Sequence, residues 1–374
     1  MTAVHTVHQF VPNFAAGDAI GTHVRHTQRA LRAAGYRSDV FYDEAQAAVR
    51  KLGRHWSTFD LGSDGDGGRA WVIFQLSTGS DMTGFLLDLD LPYGVYFHNI
   101  TPPSFFERWE PGASENLRRA LADMRRLAPR SRFAMANSAF SERDLIDAGY
   151  APTAVVPVLV DEADPAVTAS PRVLARLERQ RPDRRSSANS GYGARWLFVG
   201  RLAPNKCQHD IIAAFAAYRE LYDADARLSL VGGRTSNVYF RSLELLAGEL
   251  GVDGAVEFTD TIPDDEKLAH LQSADVYVSL SRHEGFNVPV IEAMRAGVPV
   301  VALASSATPG TVGDAGVLLP SSDPVLVAAA VDRVLTDAEL RAELQRAAKE
   351  RLDRFSLETV GRELVAVVRS AVGG

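Results

Sequence analysis

A single cysteine among 374 residues, Cys207, leaves the chain without an intrachain disulfide or a multi-cysteine metal site. The fold therefore needs no oxidising compartment, which points to the cytoplasm. The amino terminus, Met1-Thr2-Ala3-Val4-His5, lacks the basic and apolar regions of a secretory signal, and no apolar run approaches the ~18 residues that span a bilayer. Membrane contact, if used, is then peripheral and at the inner face. A basic excess is missing too: 40 Lys and Arg against 47 Asp and Glu give a net charge of -7, which offers no electrostatic footprint for nucleic acid. What remains is 46% hydrophobic, 23% charged and 8% aromatic residues, the composition of an ordinary packed protein rather than a disordered or collagen-like one. At about 150 residues per domain, the length predicts two domains.

Short apolar, β-rich runs alternate with polar or glycine-rich turns and longer segments of helical period, the pattern of parallel α/β sheets. The strand candidates fall into two series. Val4–Phe10, Asp39–Tyr42, Trp71–Leu76, Val95–His98, Phe133–Ala136 and Val155–Val158 form the first; Trp196–Val199, Leu228–Val231, Val256–Thr259, Val276–Leu280, Val298–Ala302 and Val317–Leu319 form the second. Between them, residues 168–195 carry seven arginines against Glu178 and Asp183, a local +5 between halves of -4 and -8. This reads as a basic linker, with a helical turn at Val173–Leu177 and a small, polar stretch at Ser186–Gly193. Two doubly wound domains are expected, 1–167 and 196–354, followed by a helix over 355–374.

Two motifs carry chemistry, each directly after a predicted strand, where open α/β sheets place their ligands. The first is Gly200-Arg201-Leu202-Ala203-Pro204-Asn205-Lys206. Gly200 permits close backbone approach, and Arg201 and Lys206 offer two cations to a diphosphate. The bland alternative is a surface Arg and Lys flanking a helix start. The second runs from Ser281 through Glu284-Gly285-Phe286-Asn287-Val288-Pro289-Val290-Ile291-Glu292. Gly285 and Pro289 suggest a tight loop entering a helix whose first N–H groups face an anion. Glu284 and Glu292 are acceptors suited to hydroxyl groups, so the constellation fits a sugar nucleotide. Its bland alternative is helix capping with an exposed glutamate.

These two motifs, with Glu292–Ala302 and Gly313-Asp314-Ala315-Gly316, make the second half similar to the donor-binding domain of family-4 retaining glycosyltransferases, the glycosyl transferases group 1 of the GT-B fold. The resemblance covers most of residues 195–320. It implies two facing Rossmann-like domains with a cleft between them and a C-terminal helix crossing back. It further implies that Arg201 and Lys206 hold the donor diphosphate, that Glu292 accepts ribose hydroxyls, and that Glu284 contacts the transferred sugar. Gly285, Phe286, Asn287 and Val288 then line the sugar and phosphate, while Thr261 and Ile262 lie beside the base.

The first half resembles the family more loosely. Ala16–His23 follows the first strand, so the backbone of Gly17 and Gly21 is expected at the donor. Phe97-His98-Asn99-Ile100-Thr101-Pro102-Pro103 resembles the family's cleft histidine segment, which puts His98 near the transferred sugar; a lone histidine at a strand end is otherwise structural. One departure stands out: Gly310, in Ala307-Thr308-Pro309-Gly310-Thr311, occupies the place of a glutamate common in relatives.

No metal or cofactor is expected. Arg201 and Lys206 supply the charge a metal would bring, the Asp-x-Asp matches at Asp64/Asp66, Asp88/Asp90 and Asp223/Asp225 lack a matching context, and His23 and His26 have no Glu motif beside them. The activity implied is transfer of a hexosyl-type group from a nucleoside-diphosphate sugar to an acceptor hydroxyl of a glycan, glycolipid or small glycoside, as in polysaccharide biosynthesis, with retention inherited from the resemblance. A sugar-nucleotide epimerase and a non-catalytic sugar-nucleotide-binding subunit are the alternatives. The segment Ser114–Arg132 predicts a helix with Leu117, Leu121, Met124 and Leu127 on one face and Arg118, Arg119, Arg125 and Arg126 elsewhere, either core-packed or docked on anionic lipid. Ser356–Val372 predicts a last helix with an apolar face.

Overall fold

The computed structural model describes residues 6–161, 167–181 and 193–373. By its contacts the chain forms two units, Met1–Glu162 with Arg354–Gly374, and Ala163–Asp353. Each is a parallel sheet with helices against it, an α/β architecture.

The first sheet is built from β1 (Val7–Phe14), β2 (Val40–Ala45), β3 (Arg54–His55), β4 (Trp71–Leu76), β5 (Tyr93–Phe97), β6 (Ala134–Ala136) and β7 (Thr153–Val155), in the order β3-β2-β1-β4-β5-β6-β7. Strands buried on both faces need apolar side chains at successive positions, and Trp71–Leu76 reads that way with only Gln75 polar. One face packs Phe10, Phe74, Val95 and Phe97 against the helix Pro111–Leu127 through Met124 and Leu127. The other packs Val7, Ile73 and Tyr96 against Leu31 of the helix Ala19–Ala33 and against Val360, Leu364 and Val368 of the last helix, Leu357–Gly373. The last helix thus belongs to the first sheet, although its sequence follows the second.

The second sheet holds β8 (Arg195–Val199), β9 (Arg227–Val231), β10 (Val256–Phe258), β11 (Val276–Ser279), β12 (Val300–Leu303) and β13 (Gly316–Leu319), in the order β10-β9-β8-β11-β12-β13. Both orders reverse direction beside the unit's first strand, between β1 and β4 and between β8 and β11. That reversal leaves a crevice at the carboxyl ends of those strands.

The expected linker is only partly a connection. Pro171–Arg179 is a helix that buries Val173 and Leu177 against Ala269 and partly buried Leu268, so it belongs to the second unit. The apolar pair one helical turn apart gives this helix a packing face, and the arginines occupy its other sides. Arg176 bonds Glu257, and Arg172 reaches Glu266 at 2.7 Å. Most of the polar stretch expected at Ser186–Gly193 lies outside the described residues. The β3 pairing was not marked by the sequence, since Arg54 and His55 have no strand signature.

Candidate functional site

In the second unit the two motifs follow β8 and β11, the strands that flank the reversal. Backbone and side-chain bonds tie their loops together. The Arg282 N–H donates to the Asn205 carbonyl at 2.9 Å, and the Asn205 side chain donates to the His283 carbonyl at 3.0 Å. Through this lacing Lys206 Nζ meets Glu284 Oε2 at 2.6 Å, with 19% and 7% of the two side chains exposed. The Glu284 N–H donates to Ser306 Oγ at 2.8 Å, which anchors the same loop to the one after β12. Arg201 is exposed and has no ion pair among the described residues. The site therefore holds one cation restrained by a carboxylate and one left unneutralised.

Backbone conformation explains how the loops approach so closely. Gly200 follows β8 at φ +149°, and Gly232, after β9, adopts φ +142°. A Cβ on Gly232 would stand 2.2 Å from the Gly200 carbonyl oxygen, so any side chain there would push the two loops apart. Asn287 takes the left-handed conformation, φ +73°, at the start of the helix Val288–Arg295, and its side chain donates to Ser279 Oγ at 3.2 Å. Phe286 is buried in the core, and its carbonyl accepts from Thr311 Oγ1, while Gly285 and Val288 are partly exposed beside it.

Glu292, in that helix, bonds Lys267 Nζ through Oε1 at 2.9 Å, which leaves Oε2 with no bond among the described residues. Burial opposes the charge on Lys267, but the Glu292 and Asp264 carboxylates outweigh it and raise its pKa. Thr261 and Ile262 follow β10 beside Asp260, which accepts both Arg234 Nε at 3.2 Å and Nη2 at 3.0 Å. The Arg234 guanidinium lies 4.1 Å from the Phe240 ring centroid, so this clamp is braced on an aromatic face. Burial lowers the His283 imidazole to about 4, against the opposing pull of Glu284.

The remaining sequence-marked residues lie in the first unit. Gly17, at φ +73°, precedes the helix Ala19–Ala33. Gly21 differs from the expectation of an open backbone donor: its N–H donates to Asp18 Oδ1 at 2.5 Å and is spent on capping the helix. Gly21 is small because a Cβ there would lie 1.9 Å from the Ala15 carbonyl oxygen. His98 follows β5 and is partly buried, with Nε2 2.7 Å from Gln75 Oε1; desolvation lowers its pKa to about 3. His23 accepts the Leu159 N–H on Nδ1 at 3.1 Å and pairs Nε2 with Thr27 Oγ1 at 3.2 Å, whereas His26 Nε2 meets Asp161 at 2.5 Å. Both imidazoles serve the fold.

Ser306, Lys267, Arg234 with Asp260, and Gln75 were not singled out in the sequence. The first four act across gaps of more than twenty residues with no local pattern, but a lone glutamine in an apolar strand is a readable signal for Gln75. Gly310 sits in the short helix Thr308–Val312 with open space where a Cβ would project, and its carbonyl accepts from Arg351. Cys207, His209 and Asp210 bring ligand-type atoms within 4.8 Å of one another. Cys207 Sγ lies 3.5 Å from the Pro204 carbonyl, and burial lifts its thiol to about 11; His209 bonds Tyr239, and Asp210 takes Arg282 and Ser322. Among the described residues no helix is long and apolar enough to cross a membrane.

Residues 180–351 match the family described as glycosyl transferases group 1. A D-inositol 3-phosphate glycosyltransferase of Corynebacterium urealyticum is 34% identical over 178 residues, 46% of this chain and 42% of the relative. One of the same name from Salinispora arenicola is 32% identical over 248 residues, 64% and 54% of the two. The chain spans about half the length of these curated relatives. Anabaena Alr3699/HepE, solved with UDP and glucose, superposes with a TM-score of 0.74 at 20% identity, covering 98% of this chain and 100% of that one. WaaG, a glycosyltransferase involved in lipopolysaccharide biosynthesis, gives 0.68 at 16% identity, with 98% and 100% covered.

Proposed function

We propose that this chain, which carries a glycosyl transferases group 1 domain over residues 180–351 and has the GT-B fold, moves a glycosyl group from a nucleoside-diphosphate sugar to an acceptor hydroxyl with retention at the anomeric carbon. The observation that carries the reading is the Lys206–Glu284 contact joining the loops after β8 and β11, with unpaired Arg201 on the same turn as Lys206. Breaking a glycosyl–phosphate bond leaves a carbocation-like sugar and a diphosphate anion. A cation already fixed at that place, Lys206, stabilises the departing charge without reorganising at the moment of reaction, and exposed Arg201 adds a second positive charge beside it. In this reading Glu284 holds Lys206 in position and turns its remaining acceptor capacity to sugar hydroxyls. Oε2 of Glu292 takes a ribose hydroxyl while Lys267 fixes the other oxygen.

The departing phosphate oxygen takes the acceptor proton, so no protein base is assigned, and the two cations do the work of a metal. The Arg234–Asp260 clamp beside Thr261 and Ile262 faces the base. UDP is the first nucleotide to test, since Anabaena Alr3699/HepE was solved with it, and an inositol phosphate belongs among the first acceptors, after the relatives' name. Lipid-linked and free glycans complete the acceptor set.

The test is calorimetric titration with UDP, GDP, dTDP and ADP and their sugars in EDTA, followed by proton NMR of the product anomer. Selective binding without metal, then an acceptor-dependent product of unchanged anomeric configuration, is expected. Conversion of the donor without acceptor would replace the reading with an epimerase, and binding without turnover would replace it with a non-catalytic subunit.

A further inference from the structure

Three adjacent strands of the first sheet carry polar side chains on the same face, in a row that ends at His98. Gln9 lies on β1, Gln75 on β4, and His98 follows β5; the pairings Gln9↔Ile73 and Gln75↔Tyr96 put all three on one side of the sheet. Both glutamines are fully buried. Gln9 Nε2 donates to the Val24 carbonyl at 3.0 Å, Gln75 Nε2 donates to Gln9 Oε1 at 2.8 Å, and His98 Nε2 lies 2.7 Å from Gln75 Oε1.

The direction of this chain follows from its anchored end. A backbone carbonyl only accepts, so the Gln9 atom facing Val24 is its NH2 group and the atom facing Gln75 is its oxygen. Gln75 must then present NH2 to Gln9 and oxygen to His98. The His98 nitrogen at that oxygen must carry the hydrogen. With Nε2 protonated, the uncharged ring has its lone pair on Nδ1, which makes no bond among the described residues.

We propose that Gln9 and Gln75 are positioning residues that hold His98 in a single tautomer, so that Nδ1 accepts a hydrogen bond from a sugar hydroxyl and cannot donate one. The selectivity follows from chemistry: a hydroxyl hydrogen satisfies Nδ1, whereas a phosphate oxygen or a carbonyl meets a lone pair. The rings that face it are themselves uncharged. Tyr96 packs at 4.7 Å and His23 at 5.2 Å between centroids, and His23 Nδ1 is itself an acceptor of the Leu159 N–H. Desolvation lowers the His98 pKa in the same sense. The inference rests on the proposed sugar transfer for the identity of the hydroxyl, but the tautomer does not depend on it.

The experiment is long-range proton–nitrogen correlation NMR on the full chain labelled with 15N-histidine, with His98 assigned by the signal lost in His98→Ala. One Nε2-protonated tautomer, unchanged between pH 8 and 5, is expected. Gln9→Leu does not touch His98, yet it frees the Gln75 amide to turn over, and the Nδ1-protonated tautomer should rise to a sizeable fraction. Turnover should fall about tenfold with thermal stability restored in Gln9→Leu/Gln75→Leu, where neither amide is orphaned. An Nδ1-protonated wild-type ring, or a tautomer unmoved in both variants, overturns the proposal. A confirmed relay in a protein without glycosyl transfer would instead overturn only the functional reading.

Discussion

In the first unit, His98 at the end of β5 is backed by two amides on the neighbouring strands, Gln9 on β1 and Gln75 on β4, a row of uncharged groups. At the ends of β8 and β11 in the second the polar groups are Arg201, Lys206 and Glu284. Both sheets are parallel, and both reverse strand order beside their first strand. The topology provides an address in each, and the side chains decide what the address does. Amides fix direction without charge, which suits recognition of hydroxyls. A carboxylate-held cation beside a free one suits an anion whose charge grows as a bond breaks.

The largest effect should come from removing charge at the second address. Lys206→Ala and Arg201→Ala should each lower turnover by roughly 10²- to 10³-fold, the scale for removing one preorganised electrostatic contact. Stability should separate them. Lys206→Ala leaves the buried Glu284 carboxylate without its partner, at a cost of about 3–5 kcal/mol, while Arg201→Ala should leave the melting temperature unchanged. Steady-state kinetics with calorimetry checks both; near-normal turnover in either variant would break the comparison.

A smaller effect concerns acid. Burial lowers the pKa of His98 to about 3 and of His283 to about 4, against 6.5 in the unfolded chain. Between those values the unfolded state binds the extra proton. Stability is therefore fully present above about pH 6.5 and falls as pH drops towards 4, by at most about 1.4 kcal/mol per pH unit for each group. His98→Gln should flatten part of that slope in denaturant titrations at pH 7, 6 and 5. A slope unchanged by the substitution would show that His98 does not carry it.

The smallest effect tests the helix Pro111–Leu127. Its apolar side lies in the first core, Arg118 reaches Glu107 at 2.5 Å, Arg119 reaches Asp81 at 2.5 Å, and Arg126 reaches Asp123 at 3.0 Å. With three of the four arginines paired within the unit and only Arg125 exposed without an ion pair among the described residues, vesicle flotation should show no more than a twofold gain on adding anionic lipid. A tenfold gain would make this helix a membrane contact.

Much of this was readable before the fold was known, for a physical reason. The Gly200–Lys206 and Glu284–Glu292 motifs are local: strand end, tight loop and helix start lie within a dozen residues, and each step leaves its mark in glycine, proline or charge. The apolar run Trp71–Leu76, broken only by Gln75, carries the mark of a strand buried on both faces in its own residues. Pairings across the fold leave no such mark. Lys267 with Glu292, Ser306 with Glu284, and the capping use of the Gly21 N–H depend on which loops meet. Around the helical turn expected at Val173–Leu177 the arginines give the segment the look of a linker, although Val173 and Leu177 suffice to seat the helix Pro171–Arg179. The apolar face of the last helix was visible, but no residue in it says which sheet will receive it.

That helix has a consequence for how the protein is made. Val360, Leu364 and Val368 close one face of the sheet that begins with Val7, yet they are synthesised after the whole of the second unit. A nascent chain thus holds its earliest strands with one apolar face covered by the helix Ala19–Ala33 but not yet by the last helix while a later unit is made. Completion of the first unit therefore waits for the last residues made, and a chain ending before Arg354 would leave Val7, Ile73 and Tyr96 without that part of their cover.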